Sequence, residues 1–357
     1  MGRIYQIYGQ DAHDMTVRLL EAADAVRFAP PGGTVALKPN LVVSGSAKNG
    51  AVTHAGVLSG CVEYFREHGV SDVCIMESSW VGEDTLRAMR AAGYDEVCRR
   101  YGVHFYDLKR DEARSIKSPA GTIEVCRRAL EAGLMVDLPV LKGHCQTAMT
   151  CALKNLKGCL PDREKRRFHA MGLHRPIAAL AAVLKPRLVV VDSICGDLDF
   201  EEGGTPVKTN RMFLGSDPVQ VDAYGCALMG LETEEVAYIG LAERFGAGHA
   251  QWSPQEVEEL NSPCEAAKYP RPSGTVAALS CGIHENQACS ACFAALVRAL
   301  HAFGRGHTDE IYIGQGFYGQ ELDGLGVGSC CAGARVCIPG CPPTAQAIVR
   351  QLETWGR

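Results

Sequence analysis

The chain has no long apolar run. Its longest apolar stretches, such as Ile177 to Leu184, fall far short of the ~20 residues that a membrane-spanning helix needs. The opening residues Met1-Gly2-Arg3-Ile4-Tyr5 carry no apolar signal core and no myristoylation pattern, so a cytoplasmic protein with no membrane partner is expected. No sign of charge dominates either. Lys and Arg number 36 against 41 Asp and Glu, a net charge of −5 that gives no general attraction to nucleic acid. Internal repeats and low-complexity tracts are missing. The hydrophobic (46%) and charged (22%) fractions are ordinary, which excludes disordered, collagen-like and coiled-coil chains. At 357 residues there is room for one large domain or two ordinary ones.

Cysteine breaks this run of scarcities: there are 17. A disulfide scaffold fits poorly, because the number is odd, no secretion signal accompanies it, and a chain of this length needs no staples. Metal binding or redox chemistry is the better reading for some of these thiols. Others act as small buried hydrophobes in the reducing cytoplasm of an anaerobe.

Arg3 to Tyr8, Thr34 to Leu37, Asp72 to Met76, Val103 to Asp107, Leu134 to Val140 and Arg187 to Val191 read as strands. Helical spacing runs through Met15 to Phe28, Glu83 to Ala92, Pro176 to Leu184, Pro218 to Met229 and Glu234 to Phe245, and Thr53 can cap a helix that Gly69 ends. The Arg-Leu-Val-Val-Val run from Arg187 suits a sheet covered on both faces. This alternation predicts an α/β fold with a doubly wound, mostly parallel sheet in residues 1–250. Residues 251–274, with Pro254, Pro263, Pro270 and Pro272, read as a linker or arm. Residues 275–357 read as a second, smaller α/β domain. It has strands at Thr275 to Leu279 and Glu310 to Ile313, and helices at Ala291 to Phe303 and Thr344 to Thr354.

Seven cysteines lie in that last domain: Cys281, Cys289, Cys292, Cys330, Cys331, Cys337 and Cys341. Cys289-Ser290-Ala291-Cys292 opens a helix, where exposed N–H groups stabilise thiolate charge. Cys330 and Cys331 sit in a Gly-rich loop, whose backbone can approach sulfide closely. Cys341 precedes Pro342-Pro343 and the last helix. A zinc ribbon usually shows two close Cys pairs, and here there is one C-x2-C with the rest staggered. The pattern favours a [4Fe-4S] cluster over zinc.

Gly340-Cys341-Pro342-Pro343 before a helix resembles the last cluster-ligand motif of the small iron–sulfur subunits of respiratory complex I and nickel–iron hydrogenases, although the remaining ligand order differs. A broader resemblance covers most of the chain. Leu37-Lys38-Pro39-Asn40-Leu41, Lys142-Gly143-His144, Leu153-Lys154-Asn155-Leu156-Lys157-Gly158, and Ser216-Asp217-Pro218-Val219 followed by Val221-Asp222-Ala223 resemble, in that order, the "domain of unknown function 362" family of prokaryotic iron–sulfur proteins. The resemblance implies a cluster and a pocket and brings no known reaction. Many members carry a ferredoxin-like cysteine run, from which this chain departs. Within the pattern the expected ligands are Cys289, Cys292, Cys330 and Cys341, with Cys331 and Cys337 as substitutes.

Polar residues of the large domain gather after strands: Lys38 and Asn40, Glu77, Lys142 and His144, and Asp192. Ligands of open parallel sheets bind at such carboxyl ends. Between Lys142 and Ile177, eight Lys or Arg face only Asp162 and Glu164, a focus of charge that suits a small anion. Lys154, Asn155 and Lys157 lie in this stretch, with Lys154 and Lys157 on one face of a helix. His144 and His169 are the acid–base candidates by residue type. Lys38, Lys142, His144 and His169 are thus the expected catalytic groups, and Asn40, Glu77, Lys154, Asn155, Lys157 and Asp192 the expected substrate contacts. As charges on a solvated rim, they should contribute little to stability.

Gly314-x-Gly316-x-x-Gly319 matches a dinucleotide fingerprint, but no helix opens after it and no acidic residue follows about 20 residues on, so no nicotinamide cofactor is expected. The reading is an iron–sulfur oxidoreductase acting on a small anionic substrate, with a ferredoxin or flavodoxin as possible electron partner. Two alternatives stand beside it: a lyase or isomerase using cluster iron as Lewis acid, and a carrier with a structural cluster.

Overall fold

The computed structural model describes residues 2–203, 205–263, 275–304 and 310–355. The chain divides into two compact units, Met1–Glu164 with His174–Arg271 and Lys165–Leu173 with Pro272–Arg357. The split between Arg271 and Pro272 falls inside the expected arm 251–274, but the basic segment Lys165–Leu173, expected in the first domain, belongs to the second unit, although it lies far from it in sequence.

The strands of the first unit are β1 (Ile4–Tyr8), β2 (Val35–Pro39), β3 (Val73–Glu77), β4 (His104–Asp107), β5 (Ala113–Ser118), β6 (Gly121–Cys126), β7 (Leu134–Leu138), β8 (Lys142–His144), β9 (Ala148–Thr150), β10 (Leu188–Asp197), β11 (Pro206–Gly215) and β12 (Val257–Glu259). Eight of them form one sheet in the order β12-β1-β11-β10-β7-β2-β3-β4. From β10 to β4 all neighbours are parallel, whereas β11 runs antiparallel to both β10 and β1. Strands β2, β3, β7 and β10 are buried at every residue, as a parallel sheet covered on both faces requires. On one face Leu37, Ile75, Val136 and Val190 join the core with Leu19, Leu20, Leu58 and Phe65 from helices Ala12–Ala22 and Ala55–Glu67. Strand alternation turns Lys38 and Asp137, paired in register across β2 and β7, to the other face.

The local chemistry differs from expectation in several places. Thr53 does not cap the helix; His54 holds that position, without a side-chain cap bond. The Thr53 hydroxyl instead donates to Leu138 O (2.7 Å) and accepts from Asn40 N (2.9 Å), tying two strand ends together. The expected arm holds a strand, β12, which adds to the sheet edge beside β1. Asp217 accepts from Val219 N and Gln220 N, with Pro218 at the first turn of helix Pro218–Leu228, a favourable start. Residues 264–274 of the expected arm fall outside the described residues.

The second unit has a four-stranded parallel sheet in the order β13 (Ile283–Glu285), β14 (Ile311–Ile313), β15 (Leu322–Val327), β16 (Ala334–Ile338). Helix Ser290–Phe303 buries Phe293, Leu296, Val297 and Leu300, and Gly304 ends it in the left-handed conformation. Helix Ala345–Trp355 buries Ile348 and Leu352. Thr275–Leu279 is a short helix rather than the expected strand. Its pattern of small and branched residues fits either state over so few residues. Among the described residues no helix is long and apolar enough to cross a membrane.

Candidate functional site

In the first unit the polar residues of the strand ends form one buried network. Lys38 Nζ donates to Glu77 (2.6 Å) and to Pro39 O (3.2 Å). Asn155 bridges the next members: its Nδ2 donates to Asp137 Oδ1 (2.8 Å), and its Oδ1 accepts from Asn40 Nδ2 (2.8 Å). Asn40 Oδ1 in turn accepts from Lys142 Nζ (3.0 Å). Lys142 also donates to Ala51 O (2.6 Å) and Glu201 O (2.7 Å), so three acceptors match the three hydrogens of its ammonium.

Glu201 closes the network. Its carboxylate accepts from Lys154 Nζ (2.5 Å), from His144 Nε2 (3.1 Å) and from Trp80 Nε1 (3.2 Å). His144 Nδ1 accepts from the backbone N–H groups of Gln146 and Thr147, both at 3.1 Å, which fixes the proton on Nε2. Burial and the nearby Lys154 charge push His144 down to about 4, so its imidazole is neutral at pH 7. Burial opposes the charge of Glu201, but Lys154, His144 and Lys142 outweigh it and hold the carboxyl well below its usual range. Burial pushes Lys142 down to about 7. Burial lifts Asp137 to about 7 against the pull of Lys38 and Asn155. Its second oxygen, Oδ2, is buried without a hydrogen-bond partner.

Two glycines permit this closeness. A Cβ on Gly143 would lie 2.0 Å from Leu198 O, and one on Gly158 would lie 1.7 Å from Glu77 Oε1. Without side chains there, the loop bearing Glu201 reaches Lys142 and His144, and Glu77 reaches Lys38. Asp222 is buried in helix Pro218–Leu228 and accepts from Leu153 N, at the start of the short helix Ala152–Asn155 that carries Lys154 and Asn155.

The structure thus brings together Lys38, Asn40, Glu77, Lys142, His144, Lys154 and Asn155, but as a buried network and not as an open rim. Lys38 and Lys142 are 0% exposed. Lys154 and Lys157 do not share a regular helix, since Lys157 lies in the 3-10 turn Leu156–Cys159, where it lowers the His144 pKa at a distance. Asp192 is occupied by His54, accepting from its N (2.7 Å) and Nδ1 (2.8 Å). His169 belongs to the second unit, where its Nε2 accepts from Ser290 N at 3.5 Å.

In the second unit the cysteines lie where parallel strands end. Cys289 is the N-cap of helix Ser290–Phe303, and Cys292 follows one turn in. Cys330 lies in the turn Ser329–Cys331 after β15, and Cys341 follows β16. The two loops are stitched by Ser329 N to Gly340 O (2.9 Å) and Gly340 N to Ser329 Oγ (3.1 Å). Burial lifts the Cys292 thiol, and Cys289, Cys341, Cys330 and Cys331 add to the lift through their charges, so all of these sulfurs are close enough to interact. Cys331 and Cys337 direct their thiols to Gly314 O and Gly328 O. Among the described residues no three His, Cys, Asp or Glu close around a single ion. Gly314 serves a turn packed on Asn286 O, where a Cβ would lie at 1.9 Å, and a 3-10 turn follows it, so the dinucleotide context is lacking.

The sequence model of the family described as domain of unknown function DUF362 matches residues 35–227, more than half of the chain. This chain belongs to the DUF362 family. The matched span runs from β2 into helix Pro218–Leu228 and holds the whole buried network. The DUF362 protein is 22% identical over 230 residues to the thylakoid-associated protein sll1697 of Synechocystis sp., covering 61% of this chain and 70% of that one. Among solved structures, the lactate racemase apoprotein of Thermoanaerobacterium thermosaccharolyticum matches with a TM-score of 0.43 at 17% identity, over 63% of this chain and 56% of that one. The chain therefore spans a little over half of that structure's length, and the likeness is too loose to carry an argument.

Sequence reasoning missed Glu201, Asp137, Trp80 and the role of Asp222. Asp137 sits inside an apolar run, Leu134 to Leu138, and a charge there was a readable signal. Glu201 lies in an irregular loop after β10, and only the surplus of buried lysines calls for it.

Two outcomes are expected. Lys142→Ala strands three acceptors in the core and lowers unfolding stability by about 3 kcal/mol or more in denaturant titration. A change below ~0.5 kcal/mol, typical of surface sites, returns Lys142 to a rim role. The second concerns pH. Asp137 holds its proton up to about 7 in the folded chain and to 3.8 unfolded, so its contribution is full below that lower value and is lost as pH rises through 7. Asp137→Asn, which mimics the protonated acid, should be more stable than the parent at pH 8 and lose that advantage towards pH 4. Parallel urea-midpoint curves from pH 4 to 8 would show that Asp137 does not titrate in this window.

Proposed function

We propose that this DUF362 protein is an iron–sulfur oxidoreductase acting on a small anionic organic substrate. The observation that carries the reading is the gathering of Cys289, Cys292, Cys330 and Cys341 at the ends of parallel strands in one unit. Four thiols from loops beside a helix start fit a [4Fe-4S] cluster. The cluster supplies one-electron transfer, with a ferredoxin- or flavodoxin-like partner as the electron source. With Cys289, Cys292, Cys330 and Cys341 all holding it, the cluster would keep no open iron position, and this would favour electron transfer over Lewis-acid chemistry.

The first unit supports the substrate class. Lys154, His144 Nε2–H and Trp80 Nε1–H already hold one carboxylate, that of Glu201. A small organic carboxylate competes for the same donors. Lys142 and Lys38 add positive charge, Asn40, itself held by Asn155, orients Lys142, and the neutral His144 offers its Nε2–H as a donor.

Anaerobically purified protein should contain about four iron and four sulfide per chain. Cys289→Ala should lose them, and Cys61→Ala, at a thiol buried in the first-unit core, should keep them. Stoichiometric zinc without sulfide would falsify the cluster. For the substrate class, Glu201→Gln should lower the melting temperature, and millimolar oxalate or pyruvate, but not chloride, should restore part of the loss. If carboxylates restore no more than chloride, the Glu201 contacts are a strut alone.

A further inference from the structure

The basic segment 162–167 found no use in the network of the first unit. From Lys165 onward it belongs to the second unit, with the cysteines. There the Arg166 guanidinium lies 4.0 Å from Cys341 Sγ. Burial and the charge of Cys341 raise the Cys330 thiol, and Arg166 opposes them. Gln315, in the turn after β14, donates from Nε2 to Arg166 O (3.0 Å) and approaches Cys289 Sγ at 3.6 Å. One side chain therefore fixes the backbone beside Arg166 and also reaches a second sulfur.

We propose that Arg166 and Gln315 are positioning residues that set the reduction potential of the cysteine site, Arg166 by charge-assisted donation to Cys341 and Gln315 by donation to Cys289. The inference rests on the reading of Cys289, Cys292, Cys330 and Cys341 as cluster ligands. The physical reason is general. Each added electron makes a thiolate-ligated cluster more negative, so a nearby cation and N–H donors to ligand sulfur stabilise the reduced form and raise the potential.

The experiment is an anaerobic redox titration of the full chain with dithionite, followed by electron paramagnetic resonance, after iron and sulfide have been counted for each variant. Arg166→Gln should retain its iron. At the parent midpoint its reduced-to-oxidised ratio should fall about tenfold, which for a one-electron couple is ~59 mV. Arg166→Lys should recover most of that shift. Gln315→Leu should move the ratio in the same direction by less. Arg350→Gln, an equal loss of charge on helix Ala345–Trp355, should leave it in place. An Arg166→Gln midpoint equal to that of Arg350→Gln overturns the proposal. So does loss of iron from both Arg166→Gln and Gln315→Leu, which makes the pair structural. A parent chain without iron and sulfide overturns the cluster reading, and this inference with it; a loaded parent with an unshifted Arg166→Gln overturns the inference alone.

Discussion

The first unit depends on the compensation of buried ammonium groups. Lys38, Lys142 and Lys154 lie almost wholly out of water, and an isolated charge in that setting would cost several kcal/mol or lose its proton. Glu77 meets Lys38, and Glu201 meets Lys154 and His144 while its backbone carbonyl meets Lys142. Remove Glu201 and three elements lose a common partner: β8, the helix Ala152–Asn155 and the loop at Trp80. Such a network specifies one arrangement of these segments, because half-satisfied versions are worse than none.

The motifs of the family acquire a physical sense from this. In Lys142-Gly143-His144 the glycine lets the loop from Leu198 press against the strand while its neighbours supply an ammonium and an imidazole. In Lys154-Asn155-Leu156-Lys157-Gly158 the glycine makes room for Glu77, and Asn155 links Asp137 to Asn40. Asp217 caps a helix, and Asp222, one turn further along, anchors the segment that carries Lys154. The motif residues are thus parts of one assembly, some holding charge and others holding the holders.

The second unit solves a different problem with the same architecture. Its short parallel strands end in loops, and the turns after β15 and β16 are laced together by backbone bonds at Gly328, Ser329 and Gly340. This places Cys330 and Cys341, eleven positions apart, beside Cys292 at a helix start. Thiols from separate segments converge because strand ends in a parallel sheet share one edge.

Sequence alone determined the alternation of strands and helices, the parallel core around Arg-Leu-Val-Val-Val, and seven of the residues that meet in the first unit, Lys38, Asn40, Glu77, Lys142, His144, Lys154 and Asn155. These follow from periodicity and from polar residues placed at strand ends, which are local signals. It misjudged their surroundings. Lys38 and Lys142 read as rim charges because nothing nearby in sequence neutralises them; Glu77 and Glu201 arrive from 39 and 59 positions away. Thr275–Leu279 and the role of Thr53 were ambiguous for a similar reason: five residues suit two states, and a hydroxyl serves whichever backbone group is near. Only the tertiary structure decided that a basic helix from the middle of the chain joins the cysteine unit. That depends on contacts between Arg166 and residues up to 175 positions distant, which no periodicity encodes.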